Sequence, residues 1–312
     1  MRTLLTWRLL CFLAICLHLS ACDRIKKMTS PTTDAGTDND STDQCYPPEM
    51  SCDAGPVDFV RQICYFPLQP VMDGELTDTA WDEAIWQEVD HEKSRPGIAG
   101  PDSDEDAWFR FACVSDGDYL YFGFEVRDDV AWYGGNDEYQ SSNTHEVDSL
   151  EIYLDQCREK HSTNVDNKYH YNGDDIQLTI EAQNAVSNAV SYDPLMIGPF
   201  PASPEFKGIL VEEIIGALQL NAKTTGEKSG WQGELKIPLS LTGNSGGSMQ
   251  IALKTGRIVG FQIGYNDNDS VVTDNGREHK LIWGEADRDS DSPDLSFRDP
   301  SRFGDLLFCK IR

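Results

Sequence analysis

Beyond residue 106 the chain is written almost entirely in short apolar or alternating runs separated by polar turn signals, and long amphipathic helical stretches are nearly absent. Such a pattern restricts the fold to strands that bury one face or both. The runs at 107–114 (AWFRFACV) and 119–126 (YLYFGFEV) flank Ser115, Asp116, Gly117 and Asp118, and an Asp-Gly between two such runs predicts a hairpin. The series continues at 149–154, 176–180, 209–215, 233–238, 259–266, 280–283 and 305–309. Residues 79–85 (TAWDEAI) have the composition of one short helix. Many short strands with polar turns predict an all-β fold. The expected architecture is an antiparallel β-sandwich, jelly-roll or immunoglobulin-like, with two sheets and one short N-terminal helix. It should occupy residues 58–312.

The segment before this region is different. Residues 9–17 (LLCFLAICL) form an apolar run after Arg2 and Arg8, and it is shorter than the roughly 20 residues a spanning helix needs. It reads as the hydrophobic part of an export signal, residues 1–21. The run ends in Leu19, Ser20, Ala21 and Cys22, which resembles a bacterial lipobox; an ordinary secretory signal is the alternative. The lipobox reading makes Cys22 the lipidated residue and the membrane a partner through that anchor. Residues 22–57 carry no apolar run and are rich in Asp and Thr, so they are expected to be an acidic flexible tether.

Cysteine and charge content narrow the function. Of nine cysteines, Cys11 and Cys16 leave with such a signal and Cys22 is modified. Cys45, Cys52, Cys64, Cys113, Cys157 and Cys309 remain, an even set that reads as disulfide candidates in an exported chain, or as a mixture of bridges and free buried thiols. Lys and Arg total 26 against 53 Asp and Glu, a net charge of −27, which argues against a nucleic-acid partner because there is no basic footprint to release phosphate counterions. Alternating Asp in loops can converge the oxygens that calcium needs. Asp267, Asp269 and Asp274 lie close together, and Asp287, Asp289 and Asp291 follow a D-x-D-x-D spacing, so Ca2+ is the expected cofactor; a solvated acidic surface is the alternative. No H-E-x-x-H, phosphate-binding or dinucleotide-binding motif occurs, and nothing in the spacing of Met and His supports haem.

Five strings in order carry a family resemblance. They are 71–81 (VMDGELTDTAW), 119–129 (YLYFGFEVRDD), 147–155 (VDSLEIYLD), 260–267 (GFQIGYND), and Trp283 followed by 297–304 (FRDPSRFG). Together they resemble carbohydrate-binding module family 9. The resemblance implies a β-sandwich that binds sugars, is often stabilised by calcium, and is usually a non-catalytic appendage on xylanases and related enzymes. It also implies a sugar held between two tryptophans, whose positions here carry His145 and Phe297. Glu151 matches the hydroxyl-binding carboxylate, and Thr179 falls near the position of an arginine of the family. Flat rings cover the C–H face of a sugar, and carboxylates and amides bind its hydroxyls. On that basis Phe297 stacks, Glu151 and Asn143 bind hydroxyls, and the loop residues Trp132 and Tyr133 extend the platform or pack beneath the loop.

The expected function is that of a lipid-anchored, exported, monomeric and non-catalytic protein. It would hold a saccharide or glycan at the bacterial cell envelope. The alternative is a β-sandwich scaffold for protein–protein interaction or surface display, with the sugar site lost.

Overall fold

The computed structural model describes residues 61–97, 99–130, 144–155, 158, 175–182, 219–224, 230–239, 258–269, 277–291 and 293–311. Eleven strands lie within them: β1 (Arg61–Phe66), β2 (Gln87–Val89), β3 (Ala107–Ser115), β4 (Tyr119–Asp128), β5 (Ser149–Asp155), β6 (Asp175–Glu181), β7 (Gln219–Thr224), β8 (Trp231–Pro238), β9 (Ile258–Asp267), β10 (His279–Ile282) and β11 (Gly304–Lys310). Two single-turn helices, α1 (Thr79–Glu83) and α2 (Glu285–Arg288), sit between them. The apolar run at 209–215 lies outside the described residues. So do the export signal, the tether, Asn143, Trp132 and Tyr133.

The strands form one hydrogen-bonded sheet in the order β6-β5-β9-β11-β1-β3-β4-β8-β7, with β10 on β9 and β2 on β3. This corrects the expectation of two purely antiparallel sheets. β1 runs parallel to both β11 and β3 and joins what would otherwise be two halves. Its pairing with β11 runs the length of the strand, from Arg61↔Asp305 to Phe66↔Lys310, while β3 meets it only at Cys64↔Cys113 and Tyr65↔Val114. The sheet curls so that its two halves face each other. Phe122 of β4 stacks on Phe261 of β9 at 5.5 Å and 7°, and Phe111 of β3 meets Trp283 edge-on at 5.6 Å. Leu150, Ile152, Leu154, Leu178, Ile180, Ile263 and Leu281 complete this core from the second half. Burying such a set removes roughly 1.5–3 kcal/mol per large side chain of unfavourable hydration.

The local chemistry of the predicted hairpin is visible. Between β3 and β4 the Asp116 carboxylate accepts the N–H groups of Asp118 and Tyr119, and Gly117 takes a φ of 106° that a side chain would strain. The opening motif is structural as well. Glu234 of β8 is fully buried and accepts the N–H groups of Asp73 and Gly74 on one oxygen and the indole N–H of Trp81 on the other. Trp81 lies flat over Gly123, where a Cβ would come within 3.0 Å of the ring.

Cys64 and Cys113, expected as disulfide candidates, are free buried thiols side by side in register. Burial pushes the Cys113 thiol well up, so the thiolate that initiates exchange is suppressed. Cys309 is disulfide-bonded, and Cys45, Cys52 and Cys157 lie outside the described residues.

Candidate functional site

Strands β5, β6, β9 and β10 carry the core on one face and polar residues on the other. Alternation alone places Glu151, Tyr153, Gln177, Thr179, Gln262 and Lys280 on the polar face. Register then aligns them. Glu151 faces Thr179 on one side and Gly264 on the other, and Tyr153 faces Gln177 and Gln262. Asn266 faces both Ser149 and Lys280.

Glu151 is only 4% exposed. Its Oε2 accepts the Tyr153 hydroxyl at 2.6 Å and pairs with the Lys280 ammonium. Burial alone would favour the neutral acid, but Lys280, then Arg277, outweigh it and hold Glu151 down at about 2. Lys280 is lowered to about 8 by its own burial, against the pull of Glu151. Arg277 donates to Asn266 Oδ1 at 2.8 Å and pairs with Asp294, which also lies 3.6 Å from Arg95. The cations beside Glu151 thus come from the β10 side of the face, opposite Thr179. Gly264 makes the room, since a Cβ there would sit 2.9 Å from the Leu281 carbonyl and 3.0 Å from Lys280 Cε.

The structure brings three of the expected residues together. Phe297 packs with Tyr153 and Phe303, and Tyr153 is the residue whose hydroxyl reaches Glu151. His145, half-buried in a 3-10 turn (Thr144–Glu146), is lowered first by burial and next by Arg277, with Glu151 and Lys280 also acting on it. It is thus a neutral ring at pH 7. Among the described residues, Gln177 Oε1, Thr179 Oγ1 and Gln262 Nε2 are buried atoms in the middle of this face with no hydrogen-bond partner. Buried polar atoms are normally satisfied, so such a row invites a ligand rich in hydroxyls. Tyr153, Lys280, Arg277 and Arg95 were not singled out from the sequence. The glycine interrupting β9 was the one signal that something approaches the strand closely.

A second polar site lies at the ends of β4, β9 and β10. Asp106, Asp128, Asp129, Asp148, Asp267, Asp269 and His279 form three overlapping groups, each with one ligand atom per residue within 4.8 Å of the others. Asp128 accepts the Tyr265 hydroxyl at 2.6 Å and the Val130 N–H, and Asp148 accepts the Asn268 N–H. Neither oxygen of Asp267 has a hydrogen-bond donor, although the residue is fully buried. Burial, then the neighbouring Asp128 and Asp269, push Asp267 up to about 9. Burial, with Asp269 beside it, raises Asp128 to about 7, and burial, then Asp129, raises Asp269 to about 6. A cation would relieve all three.

The D-x-D-x-D residues serve separate partners. Asp287 is buried and accepts the Leu295 N–H together with the N–H and hydroxyl of Ser296, closing its own loop. Asp289 pairs with Arg288, and Asp291 is exposed. Among the described residues the groups with metal-holding geometry lie in the other acidic site.

The curled sheet, with its core on one face and polar residues on the other, is that of a β-sandwich type of domain. The family model described as "Carbohydrate family 9 binding domain-like" matches residues 72–310, and the chain belongs to that family. Exoglucanase XynX of Acetivibrio thermocellus is 27% identical over 239 residues, covering 76% of this chain and 16% of that enzyme, so the chain spans about a sixth of the relative's length. A family 9 carbohydrate-binding module from Caldicellulosiruptor kristjanssonii, solved with cellotriose, is similar with a TM-score of 0.52 and 20% identity over 81% of this chain and 95% of that one. The same module solved with glucose gives 0.51 and 20%, over 81% and 97%. At that identity these two structures speak to the fold.

Proposed function

We propose that the chain is a non-catalytic saccharide-binding protein whose ligand docks on the polar face of β5, β6 and β9. Phe297 supplies the stacking ring, and Glu151 and the free polar atoms engage hydroxyls. His145, neutral at pH 7, takes one wall. The observation that carries this reading is the row of unpartnered atoms, Gln177 Oε1, Thr179 Oγ1 and Gln262 Nε2, beside the Glu151–Tyr153 pair. That related modules were solved with cellotriose and glucose supports a β-glucan or a monosaccharide as the first ligand to test.

Three further elements belong to the proposal. The lipobox-like Cys22 would anchor an exported chain to the cell envelope, with the acidic tether holding the monomeric domain off the membrane. The acidic pocket would hold a divalent cation, with calcium as the ion suggested by the loops. Its role would be structural, binding where carboxylates repel one another. A scaffold role remains the second reading, and one observation favours it: Glu151 is nearly inaccessible and already engaged by Lys280 and Tyr153.

Isothermal calorimetry of the full chain against a panel of neutral and acidic saccharides, with and without chelator, tests the reading. A saccharide that releases heat with the wild type and loses at least tenfold in affinity with Phe297→Ala supports it. Silence across the panel leaves the scaffold reading.

A further inference from the structure

The acidic pocket contains a nitrogen donor, and that changes which ion suits it. We infer that the pocket takes a first-row transition-metal dication, bound by His279 Nε2, Asp267 and Asp106, in place of the calcium expected from the acidic loops. This rests on the reading that the pocket holds a cation.

His279 is held in one tautomer. Its Nδ1 lies 2.7 Å from the Ala99 carbonyl, which can only accept, so Nδ1 carries a proton and Nε2 is the nitrogen turned toward Asp106. That arrangement, a ring N–H anchored on a carbonyl behind the ligating nitrogen, is how proteins orient metal-binding imidazoles. Nε2 lies 3.9 Å from Asp106 Oδ2, and an Asp267 oxygen completes a group whose atoms are all within 4.8 Å. Two ligands of one small ion, each about 2.1 Å from it, are separated by roughly 3–4 Å. The pairing His279↔Asp267 on neighbouring strands fixes two of the three donors on rigid backbone.

Oxygen supply is the other consideration. Calcium takes six to eight oxygens. Both oxygens of Asp128 already accept hydrogen bonds, as does one of Asp148. Among the described residues, the buried carboxylate oxygens of this pocket without a hydrogen-bond partner are the two of Asp267 and Oδ1 of Asp269. A short carboxylate set plus imidazole suits zinc, cobalt, nickel or iron better than calcium.

The experiment titrates the chelator-treated full chain with Co2+, following its visible d–d absorption, and then competes with Zn2+ or Ca2+. Zn2+ is expected to displace Co2+, and a hundredfold excess of Ca2+ is not. His279→Ala should lose at least tenfold in Co2+ and Zn2+ affinity, while His91→Ala, at an exposed pair with Asp104, should match the wild type. If His279→Ala fails to fold, Asp267→Asn serves. It keeps the shape of the side chain and removes a carboxylate donor, so without metal it should melt close to the wild type, yet fail to develop the cobalt spectrum. Displacement by equimolar Ca2+, affinity unchanged in His279→Ala, or a thiolate charge-transfer band would overturn the inference and leave a cation in the pocket untouched. Absence of any bound ion would overturn both readings.

Discussion

Glu151 shows how one side chain can be both a conserved-looking motif position and a consequence of its surroundings. Its carboxylate is buried yet ionised, because Lys280 and Arg277 offset the cost of burial. The ordinary value is 4.5 and the folded value about 2, so this group stabilises the fold fully above about pH 4.5. That contribution is lost as pH falls toward 2. Glu151→Gln should therefore narrow the gap in urea midpoint between pH 7 and pH 3 relative to the wild type; an unchanged gap would mean the Glu151–Lys280 pair does not form in solution. The motif made Glu151 legible in the sequence, and alternation put it on the right face. Lys280 was not legible, because its strand reads as part of an apolar run and only register reveals that it reaches across Gly264.

At the scale of elements, one carboxylate ties together three pieces of chain. Glu234 holds the turn at Asp73 and Gly74, and through Trp81 the helix α1, onto strand β8. Gln232 adds a bond from its Nε2 to the Gly74 carbonyl. Removing the carboxylate leaves three donors without an acceptor, two of them backbone N–H groups, at about 1–3 kcal/mol for each buried one. Glu234→Ala is predicted to lower stability by about 3–5 kcal/mol, read as a shift in the denaturant midpoint with an unchanged slope. A loss under about 1 kcal/mol would show that the opening motif is not pinned in this way. The hairpin of β3 and β4 was readable because Asp-Gly chemistry is local. β1 and its parallel pairing were not, since RQICYF has no strict alternation and its partners lie about 50 and 240 residues away in sequence.

For the whole molecule, the curled sheet explains why the expectation of a sandwich and the observation of one continuous sheet are compatible. β1 closes the seam between two halves that pack face to face, and the free thiols Cys64 and Cys113 sit at that seam. The same curl exposes the logic of the polar face: strands whose inner side is fully apolar carry on their other side groups that the chain itself does not satisfy. Sequence motifs located Phe297, His145 and Glu151 but gave no hint of Gln177 and Gln262, whose role depends on being level with Tyr153. The acidic pocket was half-legible: Asp267 and Asp269 stood out, whereas Asp106 and His279 come from other strands and loops.

Thr179 offers the most direct test of the saccharide reading. Its buried hydroxyl has no partner among the described residues, so Thr179→Val keeps the shape of the face and removes a group their hydrogen bonds do not use. Calorimetry with the best saccharide, paired with a melting curve, should show a Tm equal to or above the wild type and affinity reduced about five- to fifteenfold, the cost of about 1–1.5 kcal/mol for one lost hydrogen bond. Unchanged affinity at unchanged Tm would contradict the claim that this face is where a sugar binds.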